Sequence, residues 1–150
     1  MSPEQVHLEH PRTTDRVAIR YGTIFILLHG AVALLHEAAH RILPVGLPTL
    51  KYAIAYAFVG VLPIVAMVLL WTSRRRMGIW LLLISMAGSL VYAGAHHFVM
   101  NNPDHINQVP RGAWLPVFQV TAVVMLILEA FGCWLSVWLL ARTKDATVPA

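Results

Sequence analysis

Two histidines and a glutamate with metal-ligand spacing lie in the first apolar stretch of the chain. They are His36, Glu37 and His40, in the pattern H-E-x-x-H. On a helix, residues i and i+4 project from one face, so two imidazoles at this spacing can bind one metal ion beside a glutamate base. Ionisable side chains inside a membrane are costly and mark functional sites. The motif therefore predicts a metal site with His36 and His40 as ligands and Glu37 as the catalytic residue.

Further histidines lie in or near the apolar stretches. His29 lies nearer the middle of the first stretch, and His96 and His97 come near the end of the third stretch, where a bundle of helices would bring them to the level of His36 and His40. Adjacent residues on a helix point about 100° apart, so one of this pair is expected to share the site. We take His96 as the first choice, and His97 as the next.

Glu129 lies near the middle of the fourth apolar stretch. A charged side chain at that depth costs about 2.5–3.5 kcal/mol, so Glu129 is expected to be protonated, paired with a histidine or bound to metal. We include it among the candidate metal ligands. The sequence leaves open whether His29 and the loop residue His105 belong to the site.

The donor set suggests several cofactors. Imidazoles mixed with carboxylates suit zinc, iron or copper better than magnesium or calcium. Haem b is an alternative, with His36 and His96 as axial ligands and Glu37 orienting an imidazole. A bound metal ion would indicate a redox or metal-dependent protein, and haem b would indicate an electron carrier.

His36, Glu37 and His40 resemble the zinc motif of the intramembrane site-2 proteases, which also lies within a membrane helix. In that family an aspartate from a later segment completes the zinc site, and Asn102-Pro103-Asp104 is similar to that segment. The resemblance implies a membrane protease with Asp104 as a zinc ligand and Glu37 as general base. The chain departs from the family where His105 replaces the glycine after the aspartate, and Asp104 is predicted in a loop.

Functions without catalysis also fit a polar stripe through a bundle. Histidines and glutamates can relay protons or pass a metal ion across a membrane. An accessory subunit of a membrane complex would use its histidines to contact a partner's cofactor. The sequence leaves open whether the protein is an enzyme.

The elements that must position these residues are membrane helices. Hydrophobic residues make up 58% of the 150 residues and charged residues 12%, against about 25% charged in soluble domains. We predict an all-α integral membrane protein with a polar segment (1–16), a four-transmembrane-helix bundle (17–141) and a short tail (142–150). The expected spans are 17–43, 52–71, 78–100 and 113–140.

Basic residues predict the orientation, because cytoplasmic loops are enriched in Lys and Arg. Eight lie on the side of the two termini and three on the other side: Arg12, Arg16, Arg20, Arg74, Arg75, Arg76, Arg142 and Lys144 against Arg41, Lys51 and Arg111. Both termini are thus expected in the cytoplasm, which places the histidines near the extracytoplasmic side of the cell inner or plasma membrane. The expected surroundings are the lipid bilayer and a second copy or a larger membrane complex. The net charge of +4 fits this loop pattern and does not indicate nucleic-acid binding.

Overall fold

Four long helices make up the regular structure of the part of the chain that the computed structural model describes, residues 13–46 and 48–145. They are α1 (Thr13–Ile42), α2 (Thr49–Leu70), α3 (Arg75–Val99) and α4 (Leu115–Asp145). No strand occurs among these residues. Each helix contains an apolar stretch longer than the ~20 residues that cross a membrane. The prediction of an all-helical chain with four helices long and apolar enough to span a membrane is confirmed.

The helix ends differ from the expected spans by a few residues. The second helix begins at Thr49 rather than at residue 52, directly after Pro48, a residue type that the first helical turn tolerates. The fourth helix begins at Leu115 and continues to Asp145, beyond its apolar part. The polar segment 1–16 and the tail 142–150 lie mostly outside the described residues.

One face of α1 is buried from Ala18 to His40. The buried positions fall at spacings of three, four and seven residues, as expected for a helix packed on one side. They are Ala18, Phe25, Ile26, His29, His36, Ala39 and His40. The three histidines thus lie on the same stripe and face the other helices. The opposite face carries exposed residues such as Leu34, whose relative exposure is 74%, as expected for contact with lipid.

An apolar core fills the half of the bundle next to the connection between α2 and α3. Phe25, Leu70, Leu82, Met86 and Leu135 are all at most 5% exposed there. The helices approach closely at glycines: a Cβ at Gly132 would lie 2.6 Å from the Phe25 ring. This half is largely apolar, and the buried histidines lie toward the other end of the bundle, which we call the histidine end.

Two wide turns interrupt the α-helical pattern. A π-helical segment, Tyr56–Val61, precedes Pro63 in α2, and a second, Ala95–Val99, ends α3. Prolines and π turns both change the course of a helix, and α2 has both within a few residues of each other. The second segment closes with a hydrogen bond from the Met100 N–H to the Ala95 carbonyl at 2.7 Å.

Candidate metal site

Three imidazoles meet at the histidine end of the bundle. His36 and His40 come from α1 and His97 from the end of α3, and one ring nitrogen of each lies within 4.8 Å of the others. The ring centroids are 4.8 Å apart for His36–His40, 5.1 Å for His36–His97 and 5.9 Å for His40–His97. All three residues are at most 9% exposed. We call these three residues the histidine cluster.

The π turn at the end of α3 explains why His97 occupies this place. On a regular α-helix His96, seven residues after the buried Ser89, would share its face. A turn closed by an i→i+5 bond contains one more residue than an α turn, so it moves the buried face on by one position. His97 is therefore buried, and His96 lies on Tyr92, with a ring-centroid distance of 4.2 Å and its Nδ1 2.9 Å from the Tyr92 carbonyl.

The loop after α3 folds back over the cluster. The Ile106 N–H donates to the His97 carbonyl at 3.0 Å, and the Asn102 amide donates to the His96 carbonyl at 3.0 Å. The Asn102 side-chain oxygen also accepts from the Asp104 N–H at 2.8 Å, a turn that Asn readily forms. These bonds fix Asp104 above the cluster.

The Asp104 carboxylate is the acidic group of this site. Its Oδ1 lies 3.3 Å from His40 Nε2 and 3.5 Å from His97 Nδ1. The residue is 4% exposed, yet Oδ1 accepts no well-oriented hydrogen bond from the described part of the chain. A buried acceptor without a donor is unusual in a folded protein, so this oxygen can still bind a donor or a cation.

Hydrogen bonds to the cluster leave ring nitrogens ready to bind a metal. His97 Nδ1 lies 2.9 Å from the Asp104 carbonyl, which can only accept, so Nδ1 carries the proton and Nε2 of the neutral ring keeps its lone pair. His36 Nδ1 lies 2.8 Å from Thr121 Oγ1. That hydroxyl donates to the Val117 carbonyl at 2.6 Å, so it accepts from His36.

Two nitrogens of the cluster have no partner in the described part of the chain. They are His36 Nε2 and His40 Nδ1, and both are buried. Phe118 of α4, fully buried, lies against all three rings at centroid distances of 4.8 to 5.5 Å. The cluster therefore presents unshared ring nitrogens beside an apolar aromatic ring, and hydrogen bonds to the other ring nitrogens orient metal-binding histidines in the same way.

Glu37 lies beside the cluster and has its own partners. Its Oε1 accepts from Arg41 Nε at 2.8 Å and from the Tyr56 hydroxyl at 2.6 Å. Its side chain is 25% exposed. The glutamate of the motif is therefore held in place by α1 and α2 at the edge of the site.

A cavity of about 490 Å³ connects the cluster with the interior of the bundle. Its polar lining includes His36, Glu37, His97 and Asp104 at one end and Glu129 further in. Leu34 belongs to its apolar lining. The cavity is large enough for a small ligand, since such sites measure about 300–1,000 Å³.

Glu129 lies deeper in the bundle than the cluster does. It follows Thr121, which contacts His36, by eight residues, or about 12 Å along the helix axis. Its own contacts are Ser89, whose hydroxyl donates to Oε1, and His29, whose Nε2 lies 3.9 Å from Oε1. His105 Nδ1 accepts from the Asn107 N–H at 3.2 Å within the loop. The structure thus brings His36, His40 and His97 together and places Glu129 with His29.

Comparison of the chain with protein-family models, with curated proteins and with solved structures gives no match. The fold and site define an all-helical chain with four helices fit to span a membrane and a buried histidine cluster that could hold a metal ion. Function must be inferred from such a site, because a helical bundle by itself hosts many activities.

Proposed function

We propose that the protein is a membrane-embedded transition-metal-binding protein whose ion is zinc. The ligands are His36, His40, His97 and Asp104. The observation that carries the proposal is the meeting of three buried imidazoles whose ring nitrogens lie within 4.8 Å of one another. Zinc holds imidazole nitrogens at about 2.0–2.1 Å, so small side-chain rotations would bring these atoms round one ion.

The chemistry of the donor set supports a borderline transition metal. Three imidazoles and one carboxylate suit zinc, copper or iron, whereas magnesium and calcium take oxygen ligands. Asp104 supplies one negative charge where the surroundings are apolar, and its Oδ1 already lies 3.3 Å from His40 Nε2. Four ligands of this kind are typical of zinc.

The packing of the rings favours a bare ion over haem. The centroids of His36 and His97 are only 5.1 Å apart, so the rings touch and leave no gap for a macrocycle between them. His96, the other axial ligand in the haem hypothesis, has its ring on Tyr92. A haem would have to separate these contacts.

The distribution of basic residues supports an orientation with both termini in the cytoplasm. Eight of the eleven Lys and Arg lie on the side of the termini and the α2–α3 connection, and such residues mark cytoplasmic loops. The histidine cluster then lies near the extracytoplasmic face of the cell inner or plasma membrane, where its loop is accessible to ions.

Metal content and the visible spectrum of the purified protein test this proposal. The protein is isolated in mild detergent beside a His36→Ala/His40→Ala variant. We expect one zinc per chain in the wild type, none in the variant and no Soret band in either. A haem spectrum, or a wild type that stays metal-free after incubation with zinc, copper and iron, would overturn the zinc assignment.

A metal-dependent hydrolase is a second candidate function. It is favoured by the cavity, whose lining includes Glu37 together with His36 and Asp104. Zinc bound there would supply a Lewis acid and an acidic water, and Glu37 would accept a proton. Hydrolysis of a membrane-soluble peptide by the wild type but not by Glu37→Gln, with equal zinc content, is the expected result. Equal turnover by both would remove Glu37 from the chemistry.

A further inference from the structure

A second polar site lies in the interior of the bundle, apart from the histidine cluster. It consists of Glu129 on α4, His29 on α1 and Ser89 on α3, all at most 1% exposed. His29 precedes His36 by seven residues, about 10 Å along the helix axis. We call these three residues the Glu129 site.

The Glu129 site is incompletely hydrogen-bonded. Ser89 Oγ donates to Glu129 Oε1, but Oε2 has no partner among the described residues, and neither ring nitrogen of His29 has one. The His29 ring stacks on Phe25, with 6.1 Å between centroids. Buried polar groups are usually hydrogen-bonded, so three unpartnered buried polar atoms in one place mark a site that a small polar species can complete.

The charge of Glu129 indicates that a proton is the species that completes the site. A lone carboxylate deep among membrane helices is costly, and a proton or a positively charged partner removes that cost. His29 Nε2, 3.9 Å from Glu129 Oε1, can take or give a proton itself. With one proton on the pair, the site is neutral overall, as a carboxylic acid beside imidazole or as a carboxylate beside imidazolium.

Water can reach the Glu129 site from one side. Glu129 lines the cavity that also contains His36, His97 and Asp104, so one route from it leads toward the histidine end. In the other direction lie the buried apolar residues of the core, Met86 among them. The cavity also opens sideways between α1 and α2, where Leu34 and Ile64 line it and are 74% and 57% exposed. Between membrane-spanning helices that opening faces hydrocarbon, which supplies no water. The cavity can hold several waters at about 30 Å³ each.

We propose that the Glu129 site binds and releases a proton, which it exchanges with water in the cavity from the histidine end only. On loading, Glu129 Oε2 takes a proton from hydronium and leaves water; on unloading, it returns the proton to water. The other groups near it are His29 on α1, Ser89 on α3 and Cys133 one turn further on α4. Pro63 and Met67, which line the cavity from α2, carry no charge. This site goes beyond the proposed metal-binding function and does not depend on it.

Infrared spectroscopy of the purified full-length protein tests the proposal. We expect a carboxylic-acid C=O band that shifts after transfer to D₂O and disappears as the pH is raised. Glu129→Gln should abolish the band, and the matched variant Glu37→Gln should keep it. Ser89→Ala, which removes the hydroxyl that bonds Glu129, should change its frequency, so the assignment does not depend on the folding of one variant.

Other outcomes would overturn the proposal. A carboxylic-acid band that is insensitive to D₂O and pH would show that the group exchanges no proton. The same conclusion would follow if no band responded to Glu129→Gln or Ser89→Ala. Zinc content separates the two sites, because Glu129→Gln should keep the wild-type zinc content. If that variant loses a metal ion, Glu129 is a metal ligand and not a proton site.

Discussion

Thr121→Val tests whether the hydrogen bond from His36 to Thr121 increases the metal affinity of the histidine cluster. Thr121 Oγ1 lies 2.8 Å from His36 Nδ1 and donates its own hydrogen to the Val117 carbonyl. The hydroxyl therefore holds the proton of His36 on Nδ1 and leaves Nε2 free to bind. Valine has the same shape without the acceptor, so the buried N–H loses its partner.

The size of the effect follows from that loss. A buried donor left without an acceptor costs about 1–3 kcal/mol. Without metal, the His36 ring can avoid this cost by moving its proton to Nε2, but metal binding forces the proton back to Nδ1. The cost of the unpaired N–H therefore arises only in the metal-bound state and lowers the metal affinity. Loss of an outer-layer partner typically reduces affinity by about 10–100-fold, or about 1.4–2.8 kcal/mol.

Zinc affinity is measured by competition with a chromogenic chelator in detergent solution. The matched control is Ser136→Ala, because Ser136 also bonds a carbonyl one turn back in α4, that of Gly132 at 2.7 Å, but lies far from the cluster along the helix. We expect Thr121→Val to bind zinc about 10–100-fold more weakly than wild type and Ser136→Ala to bind as wild type. Equal affinities for all three proteins would refute the role given to Thr121.

Three further predictions concern other residues. Asp104→Asn should reduce zinc affinity more than about 100-fold, beyond the range for an outer-layer partner, and the same competition assay measures it; wild-type affinity would remove Asp104 from the ligands. Glu37→Gln should leave zinc content unchanged, because Glu37 bonds Arg41 and Tyr56; metal analysis checks this, and a zinc-free variant would make Glu37 a ligand. Gly78→Ala should destabilise the fold by about 1–3 kcal/mol, because its Cβ would lie 2.9 Å from the Ala66 carbonyl oxygen. Thermal unfolding in detergent measures that effect against Gly30→Ala, which meets no atom within 4 Å; equal unfolding of the two variants would contradict the close helix contact.

The fold could be predicted from the sequence because membrane helices are recognisable by the length and hydrophobicity of their segments. Four apolar stretches longer than about 20 residues, separated by Pro44, the Arg74–Arg76 run and the polar loop after Met100, correspond to the four helices. The spacing of His29, His36 and His40 likewise predicts a common buried face. Both inferences use only the regular geometry of a helix.

The site depends on features that regular geometry does not contain. The choice between His96 and His97 depends on a π turn, which the hydrophobic pattern does not predict. Asp104 is a candidate ligand from the sequence only through the resemblance of Asn102-Pro103-Asp104 to a protease segment, because the path of a loop back over a site depends on long-range contacts. Thr121 lies 85 residues from His36 in the chain, so only the packing of α4 on α1 could identify it. The carboxylate of Glu129 makes it a candidate metal ligand by chemistry alone, whereas the rise of α4 places it about 12 Å deeper than Thr121, which contacts His36.

Zinc content of His97→Ala beside His96→Ala tests the central claim most directly. The two variants lose the same side chain at neighbouring positions, but only His97 belongs to the histidine cluster. We expect His96→Ala to keep one zinc per chain and His97→Ala to lose it. Zinc lost from His96→Ala and kept in His97→Ala, or kept in both, would contradict a metal site built from His36, His40 and His97.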